Sequence, residues 1–281
     1  MKHICYIFSL LLLFLSSCDG NYLAPQESHL VVEGWIEDDG FPVVMLTKSV
    51  AVSEEFQDVS DLNKYLVKWA KVSIYDGEDS VILTSMFDDK YMPPYIYTTG
   101  RMRGKAGHTY RLKIEYEGKV TTAVTTIPQK PDIEDVKVEK VENSDSMYQV
   151  KVLLHDNPHE KNYYQMFTMM GEDERQFLAS YLGSVDDAIL QEYTWIPVYR
   201  GRKINERKYW ANYRHDEVVT IKIAQIDSIS YRFWDDYNKH FALQDNMMFA
   251  PYTNLPSNIV GGSGYWCGMG SYEKQLKMPS R

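Results

Sequence analysis

The chain has 281 residues, with Lys+Arg 30 against Asp+Glu 39 and a formal net charge of −9. That balance disfavours attraction to nucleic acid and no basic tail offsets it, so no such partner is expected. With 3 cysteines in the whole chain a disulfide-stapled scaffold is excluded, and the fold must rest on hydrophobic burial.

The first predicted element is a leader. Lys2 supplies a positive start, Ile4 to Leu15 an apolar run, and Leu15-Ser16-Ser17-Cys18 a small-residue cleavage site. The run falls short of the roughly 20 residues that span a bilayer as a helix. The site resembles a bacterial lipobox. That resemblance implies a signal peptide at 1–17, acylation of Cys18 and a body held on a membrane outside the cytoplasm, so the membrane itself is a partner through the anchor. Each buried methylene contributes about 0.8 kcal/mol and one chain alone anchors only marginally, so a doubly acylated Cys18 would give stable attachment. Residues 18–27, polar and broken by Gly20 and Pro25, read as a lipidated stalk. Cys5 leaves with the leader and Cys18 is consumed by the thioether. Cys267, following Tyr265 and Trp266, is then a lone thiol that reads as a small buried hydrophobe.

After the stalk the dominant period is two, as in half-buried strands. His29 to Ile36 and Pro42 to Thr47 flank a hairpin signal at Asp38-Asp39-Gly40. Val72 and Ile74 alternate with Lys71, Ser73 and Tyr75 before an Asp76-Gly77 turn, and Tyr110, Leu112, Ile114 and Tyr116 alternate before Glu117-Gly118 turns the chain into Lys119 to Ile127. Ser53 to Tyr65 reads as a long loop or a short helix. Pro128 and Pro131 interrupt strand pairing and set a domain boundary, since proline cannot donate to a ladder. Strands resume at Ile133 to Val141, Met147 to His155, Asn162 to Met170 and Val218 to Ala224. Ile229, Phe233, Tyr237 and Phe241 recur at helical spacing behind Ser228 as a cap, which predicts an amphipathic helix at about 228–244. The expected fold is mainly β. Residues 28–128 form an N-terminal immunoglobulin-like β domain and 132–281 a C-terminal β-rich domain with one helix, two antiparallel β-sandwich-like domains in all.

Along the chain follow Leu30-Val31-Val32-Glu33-Gly34-Trp35-Ile36, Ala70-Lys71-Val72-Ser73-Ile74, Gly107-His108-Thr109-Tyr110-Arg111-Leu112, Thr126-Ile127-Pro128, the run from Asp156 to Tyr164, and Asn258-Ile259-Val260-Gly261-Gly262-Ser263-Gly264. In this order these segments resemble the domain-of-unknown-function 4249 family of outer-membrane lipoproteins of Gram-negative bacteria. The resemblance implies an outer-membrane lipoprotein, in either leaflet, encoded near TonB-dependent receptors. It brings no catalytic residues.

His155, Asp156, His159 and Glu160 are the one cluster with metal-ligand composition, but Pro158 disfavours the helix that would put both histidines on one face, and Asp-Asn-Pro after a strand is a turn former. No metal or other cofactor is expected. Gly262-x-Gly264-x-x-x-Gly268 misses the dinucleotide fingerprint and reads as bulges or close backbone approach. Ser271-Tyr272-Glu273-Lys274 matches a serine-lysine catalytic motif by letter only, without its companions. No catalytic set emerges. The local departure from average composition is Tyr193 to Arg214, where Arg200, Arg202, Lys203, Arg207, Lys208 and Arg214 lie among Trp195, Tyr199, Tyr209, Trp210 and Tyr213. Arg with Trp and Tyr is the composition of interface hot spots, so Trp195, Tyr199, Arg200, Arg202, Arg207, Tyr209 and Trp210 are candidate contacts for a ligand or partner. The bland alternative is a basic hairpin with its aromatics in the core. The sequence therefore predicts a non-enzymatic envelope lipoprotein, an accessory or binding subunit of a TonB-dependent transporter. A stand-alone glycan or peptide binder and an envelope hydrolase are the alternatives.

Overall fold

The computed structural model of the chain describes residues 28–49, 63–142, 144, 146–171, 176–202, 209–243 and 255–280. The predicted leader and stalk with Cys18, most of the Ser53 to Tyr65 segment, and Lys203, Arg207 and Lys208 lie outside the described residues.

Before the Pro128–Pro131 connection the strands are β1 (Leu30–Glu37), β2 (Val43–Lys48), β3 (Lys71–Asp76), β4 (Asp79–Ile82), β5 (Thr84–Phe87), β6 (Tyr95–Thr98), β7 (Thr109–Tyr116) and β8 (Lys119–Thr126). After it come β9 (Asp132–Lys140), β10 (Met147–His155), β11 (Tyr163–Met170), β12 (Leu178–Asp186), β13 (Tyr193–Val198), β14 (Tyr213–Arg214), β15 (Val218–Ile226), the helix α1 (Ser228–Leu243) and β16 (Ser263–Lys277). The fold is mainly β, as expected. Among these strands the pairing is antiparallel except where β1 meets β16.

One sheet of eight strands, in the order β12-β11-β15-β16-β1-β2-β6-β5, forms the backbone of the molecule. Two four-stranded sheets pack on the same face of it. The sheet β4-β3-β7-β8 closes a core with Val32, Ile36, Val44 and Leu46, while β9, β10, β13 and β14 close another with Tyr164, Met166, Val219, Ile221 and Ile223. The alternation in β7 explains its placement: Tyr110, Leu112 and Ile114 are buried and the residues between them face outward.

The main sheet crosses the expected boundary at Pro128–Pro131. The first half of β16, Ser263 to Met269, pairs in parallel with β1, and its second half, Gly270 to Lys277, pairs with β15. Trp266 and Ile259 are buried in the core of the first sandwich although they lie near the end of the chain. Such a side chain contributes about 1.5–3 kcal/mol when fully buried, so the C-terminal segment is part of what holds the first sandwich together. Two local features make this pairing possible. Asn258 imitates a strand partner for Trp266, accepting from its N–H at 2.9 Å and donating to its carbonyl at 2.7 Å. Gly264 has φ +105 and sits so close to β1 that a Cβ would lie 1.8 Å from the Val32 carbonyl oxygen. The glycine-rich segment is thus a close backbone approach, as its sequence suggested.

The helix lies on the opposite face of the main sheet. Phe233 and Trp234 pack on Tyr265 with ring centroids at 4.6 and 5.4 Å, and Trp234 meets Phe167 edge-on at 5.3 Å. Its cap is Asp227 rather than Ser228: the Asp227 carboxylate accepts from the N–H groups of Ile229 and Ser230 at 3.0 and 2.7 Å. The extra reach of a carboxylate one residue earlier satisfies two orphan donors at once.

Candidate functional site

The described residues leave an open groove of about 660 Å³ on the helix side of the main sheet, beyond the end of α1. Its floor is built from outward-facing residues of β1, β2 and β6: Trp35, Glu37, Val43, Ile96 and Thr98. One end is closed by Lys222 of β15 with Ser271 and Glu273 of β16, the other by Met86 on β5, and Asp38 and Asp88 stand at the rim. Tyr91 leans over Trp35 with centroids 6.0 Å apart at 45°, which makes an aromatic corner.

Lys222 is the unusual group. It is 8% exposed and sits in a largely buried strand whose other residues are apolar except Thr220 and Gln225. Its ammonium donates to both oxygens of Glu37 at 2.7 and 3.0 Å and pairs with Glu273 at 2.9 Å. The Phe177 ring lies 4.2 Å from the nitrogen. Burial pulls the pKa of this ammonium down, but the two glutamates outweigh it and hold the pKa above the ordinary lysine value. Lys222 is therefore a fixed charge, unsuited to act as a base or a nucleophile near neutrality. Beside it the Ser271 hydroxyl is buried and has no hydrogen-bond partner among the described residues.

Further along β1 a second acidic group is tuned by its surroundings. Glu33 accepts from the Tyr265 hydroxyl at 3.0 Å, and burial raises its carboxyl pKa despite that bond. Cys267 is buried under the helix, where burial pushes its thiol far above the ordinary value. A thiol kept protonated is a packing group, as its aromatic neighbours in the sequence implied.

The predicted basic aromatic stretch separates into parts. Trp195 lies on β13 with the Lys137 ammonium 4.0 Å from its ring, and Trp210 faces the Arg214 guanidinium at 5.5 Å. Tyr199, Arg200, Arg202 and Tyr209 gather around Tyr181: its ring is 6.2 Å from Tyr199 and 5.8 Å from Tyr209, Arg202 lies 5.9 Å from the Tyr209 ring, and the Tyr209 hydroxyl donates to the Arg200 carbonyl. Tyr213 is fully buried. The two tryptophans stay outward, at 36% and 38% exposure, but Trp195 is on β13 and Trp210 in the connection before β14.

The segment from His155 to Tyr164 does not converge its titratable groups. Asp156 is buried and accepts from the Tyr164 hydroxyl at 3.0 Å, while the His159 N–H donates to Asn157 within a turn. His155 meets Asp132 and Glu134 instead, with ligand-type atoms all within 4.8 Å of one another. Those partners come from β9 by cross-strand pairing, opposite Asp132, and are invisible to spacing along the chain. Ser271 and Lys274 fall on opposite faces of β16, which removes any serine-lysine geometry.

Sequence reasoning missed the groove, because its residues come from strands far apart in the chain. One signal was available. A lysine inside Val218-Val219-Thr220-Ile221-Lys222-Ile223-Ala224-Gln225-Ile226 is a buried charge that needs partners.

A family model described as Domain of unknown function (DUF4249) matches residues 19–275. No curated protein matches the chain.

Proposed function

The chain belongs to the DUF4249 family, and from that premise we propose that it is a lipid-anchored envelope protein, an accessory or binding subunit of a TonB-dependent outer-membrane transporter rather than an enzyme. The observation that carries the binding role is the groove: an open, aromatic and acidic floor whose one buried ammonium is held by two carboxylates. Such a site suits capture. Its Lys222 is already paired, and the Cys267 thiol is kept protonated, so neither supports the alternative of an envelope hydrolase. Anchoring at Cys18 supports the accessory role, because confinement to one membrane plane raises the effective concentration of two partners and lets a modest interface stay occupied. Among the described residues no helix is long and apolar enough to cross a membrane. The outward Trp195 and Trp210, with Arg200 and Arg202 between them in sequence, are the proposed transporter-facing contacts.

The same groove supports a second reading, a stand-alone glycan- or peptide-binding lipoprotein, because Trp35 and Tyr91 offer ring faces for stacking. Crosslinking in intact membranes separates the two. Recovery of a TonB-dependent receptor with the wild-type chain, and its loss with Cys18→Ala, is the expected result; no receptor with the wild-type chain sinks the accessory reading and leaves the stand-alone one.

A further inference from the structure

The groove carries more chemical information than the word binding conveys. Its lining contains five carboxylates, Glu37, Asp38, Asp39, Asp88 and Glu273, against the ammonium groups of Lys130 and Lys222. Lys130 is paired with Asp38 at 3.2 Å, and Lys222 with both glutamates. Arg103 meets Asp39 at 3.6 Å from outside the lining. After these three cations are counted, the carboxylates remain in excess by two. An excess of negative charge beside an aromatic corner is the environment that attracts a cation from water.

The rim already shows how a guanidinium sits here. The chain's own Arg103 lies 4.1 Å from the centre of the Phe41 ring while its guanidinium reaches the Asp39 carboxylate and the carbonyl of the same residue. Trp35 and Tyr91, with Asp88 nearby, repeat that combination of ring face and carboxylate in the groove without an arginine of their own, while Glu37 beside them is already held by Lys222. The Ser271 hydroxyl is a further polar group there, without a hydrogen-bond partner among the described residues.

Shape selects the rest of the ligand. The floor runs across β1, β2, β6 and β5 in that spatial order. Three strand spacings make about 14 Å, the reach of roughly four extended residues. The groove is open along that line, and at its β5 end Met86 is 45% exposed, an apolar landing for a side chain that flanks a charge. A small closed cage for one ammonium would look different.

We propose that the groove binds an extended, arginine- or lysine-bearing peptide segment, laid across the sheet from the β5 edge with its cation on the Trp35–Tyr91 corner. This deepens the binding role proposed above and rests on it. The test is fluorescence anisotropy with the detergent-extracted full chain and fluorescein-labelled hexa-arginine, with labelled hexaglutamate as the charge-reversed probe. Hexa-arginine should bind and hexaglutamate should not. Asp88→Asn combined with Glu273→Gln should weaken hexa-arginine by about tenfold or more, as removal of two charges from a shared site implies. Met86→Lys, at an exposed position that folding tolerates, should do the same by placing a competing cation at the groove mouth. Glu78→Gln with Asp79→Asn makes the same charge change in the β3–β4 hairpin of another sheet and should alter affinity by less than about twofold. Equal weakening by the groove and hairpin variants, or unchanged affinity in both groove variants, overturns the proposal. So does tetramethylammonium displacing the peptide as well as unlabelled hexa-arginine does, since that marks a small-cation site. A receptor recovered by crosslinking together with failed peptide binding removes this assignment alone and leaves the accessory role standing.

Discussion

Three strands, β1, β15 and β16, pass from beneath α1 into the open groove, and their outward residues change as they go. Under the helix β15 and β16 present Tyr265, Cys267, Met269, Ala224 and Ile226, all in the cluster that Phe233 and Trp234 complete, and β1 adds Trp35 and a Glu33 carboxylate that accepts from the Tyr265 hydroxyl. In the groove the same strands present Glu37, Lys222, Ser271 and Glu273. The opposite face of those strands feeds the cores of both sandwiches, with Trp266, Ile221 and Ile223 buried there, and carries a charge only at the exposed Lys274 near the end of β16. Polarity on this sheet therefore largely follows what lies above each residue, and at the open end the buried Lys222 ammonium is met by two carboxylates, as a buried charge requires.

The comparison breaks most completely if β1 and β16 stop being neighbours. Gly264→Ala should do this, because φ +105 is strained for alanine and its Cβ would meet the Val32 carbonyl oxygen. A destabilisation above about 4 kcal/mol, or no soluble protein at all, is expected in urea unfolding followed by circular dichroism. Gly77→Ala is the control. Gly77 also has positive φ, at +61, but nothing lies within 4 Å of its Cβ position, so a loss of only about 1 kcal/mol is expected. Equal losses at the two sites would mean that backbone conformation, and not the closeness of the two strands, sets the cost.

A smaller pair of effects sharpens the contrast between the covered and the open end. Trp234→Ala removes a buried ring from beneath the helix and leaves a cavity, at about 4 kcal/mol. Lys222→Met keeps the volume but strands Glu37 and Glu273 beside each other, and because their side chains are 18% and 46% exposed water relieves part of the repulsion. A loss of about 2 kcal/mol is expected, below the range for fully buried pairs. If Lys222→Met is the costlier of the two, the groove's charges serve folding more than they serve a ligand.

The sequence made the two-sided strands legible and hid the one-faced logic of the shared sheet. β7, β8 and β10 alternate because one face meets water or a neighbouring edge, and they were predicted from that period. β16 was harder to place, because its partners are β1 at one end and β15 at the other and no local pattern announces a strand that serves two sandwiches. For the same reason the prolines at 128 and 131 looked like a domain boundary: they do interrupt pairing locally, but the sheet is carried past them by residues 263–277. The helix was readable from its aromatic stripe, and its cap was missed by one residue because Asp227 and Ser228 are both good capping types. The groove was unreadable for a geometric reason. Glu37, Met86, Lys222 and Glu273 come together only through strand order, and the exposed tryptophans of the basic stretch drew attention through composition alone.

The smallest expected effect concerns an ion pair outside both ends of the shared strands, and it tests whether exposure alone sets the worth of a charge in this molecule. His155 Nδ1 lies 2.8 Å from the Asp132 carboxylate, and its ring stacks on Tyr193 at 4.6 Å. The hydrogen bond to Asp132 raises the imidazole pKa above 6.5; slight burial opposes the shift, and the charges of Asp132, Glu134 and Glu192 add to it. A raised value in the folded state means that the folded chain holds the proton more tightly than the unfolded one. The stabilisation is then fully present below pH 6.5 and is lost as pH climbs through the folded-state value. Because the pair is exposed and screened, unfolding curves should move little, whereas the imidazole proton resonances should titrate above 6.5 in the wild-type chain and return toward 6.5 in Asp132→Asn. Lys222 itself should show no titration in that window, since its ammonium stays charged throughout. An unchanged His155 midpoint in Asp132→Asn would transfer the shift to Glu134 and Glu192, and a large stability loss in the same variant would mean that this surface pair is as consequential as the one in the groove.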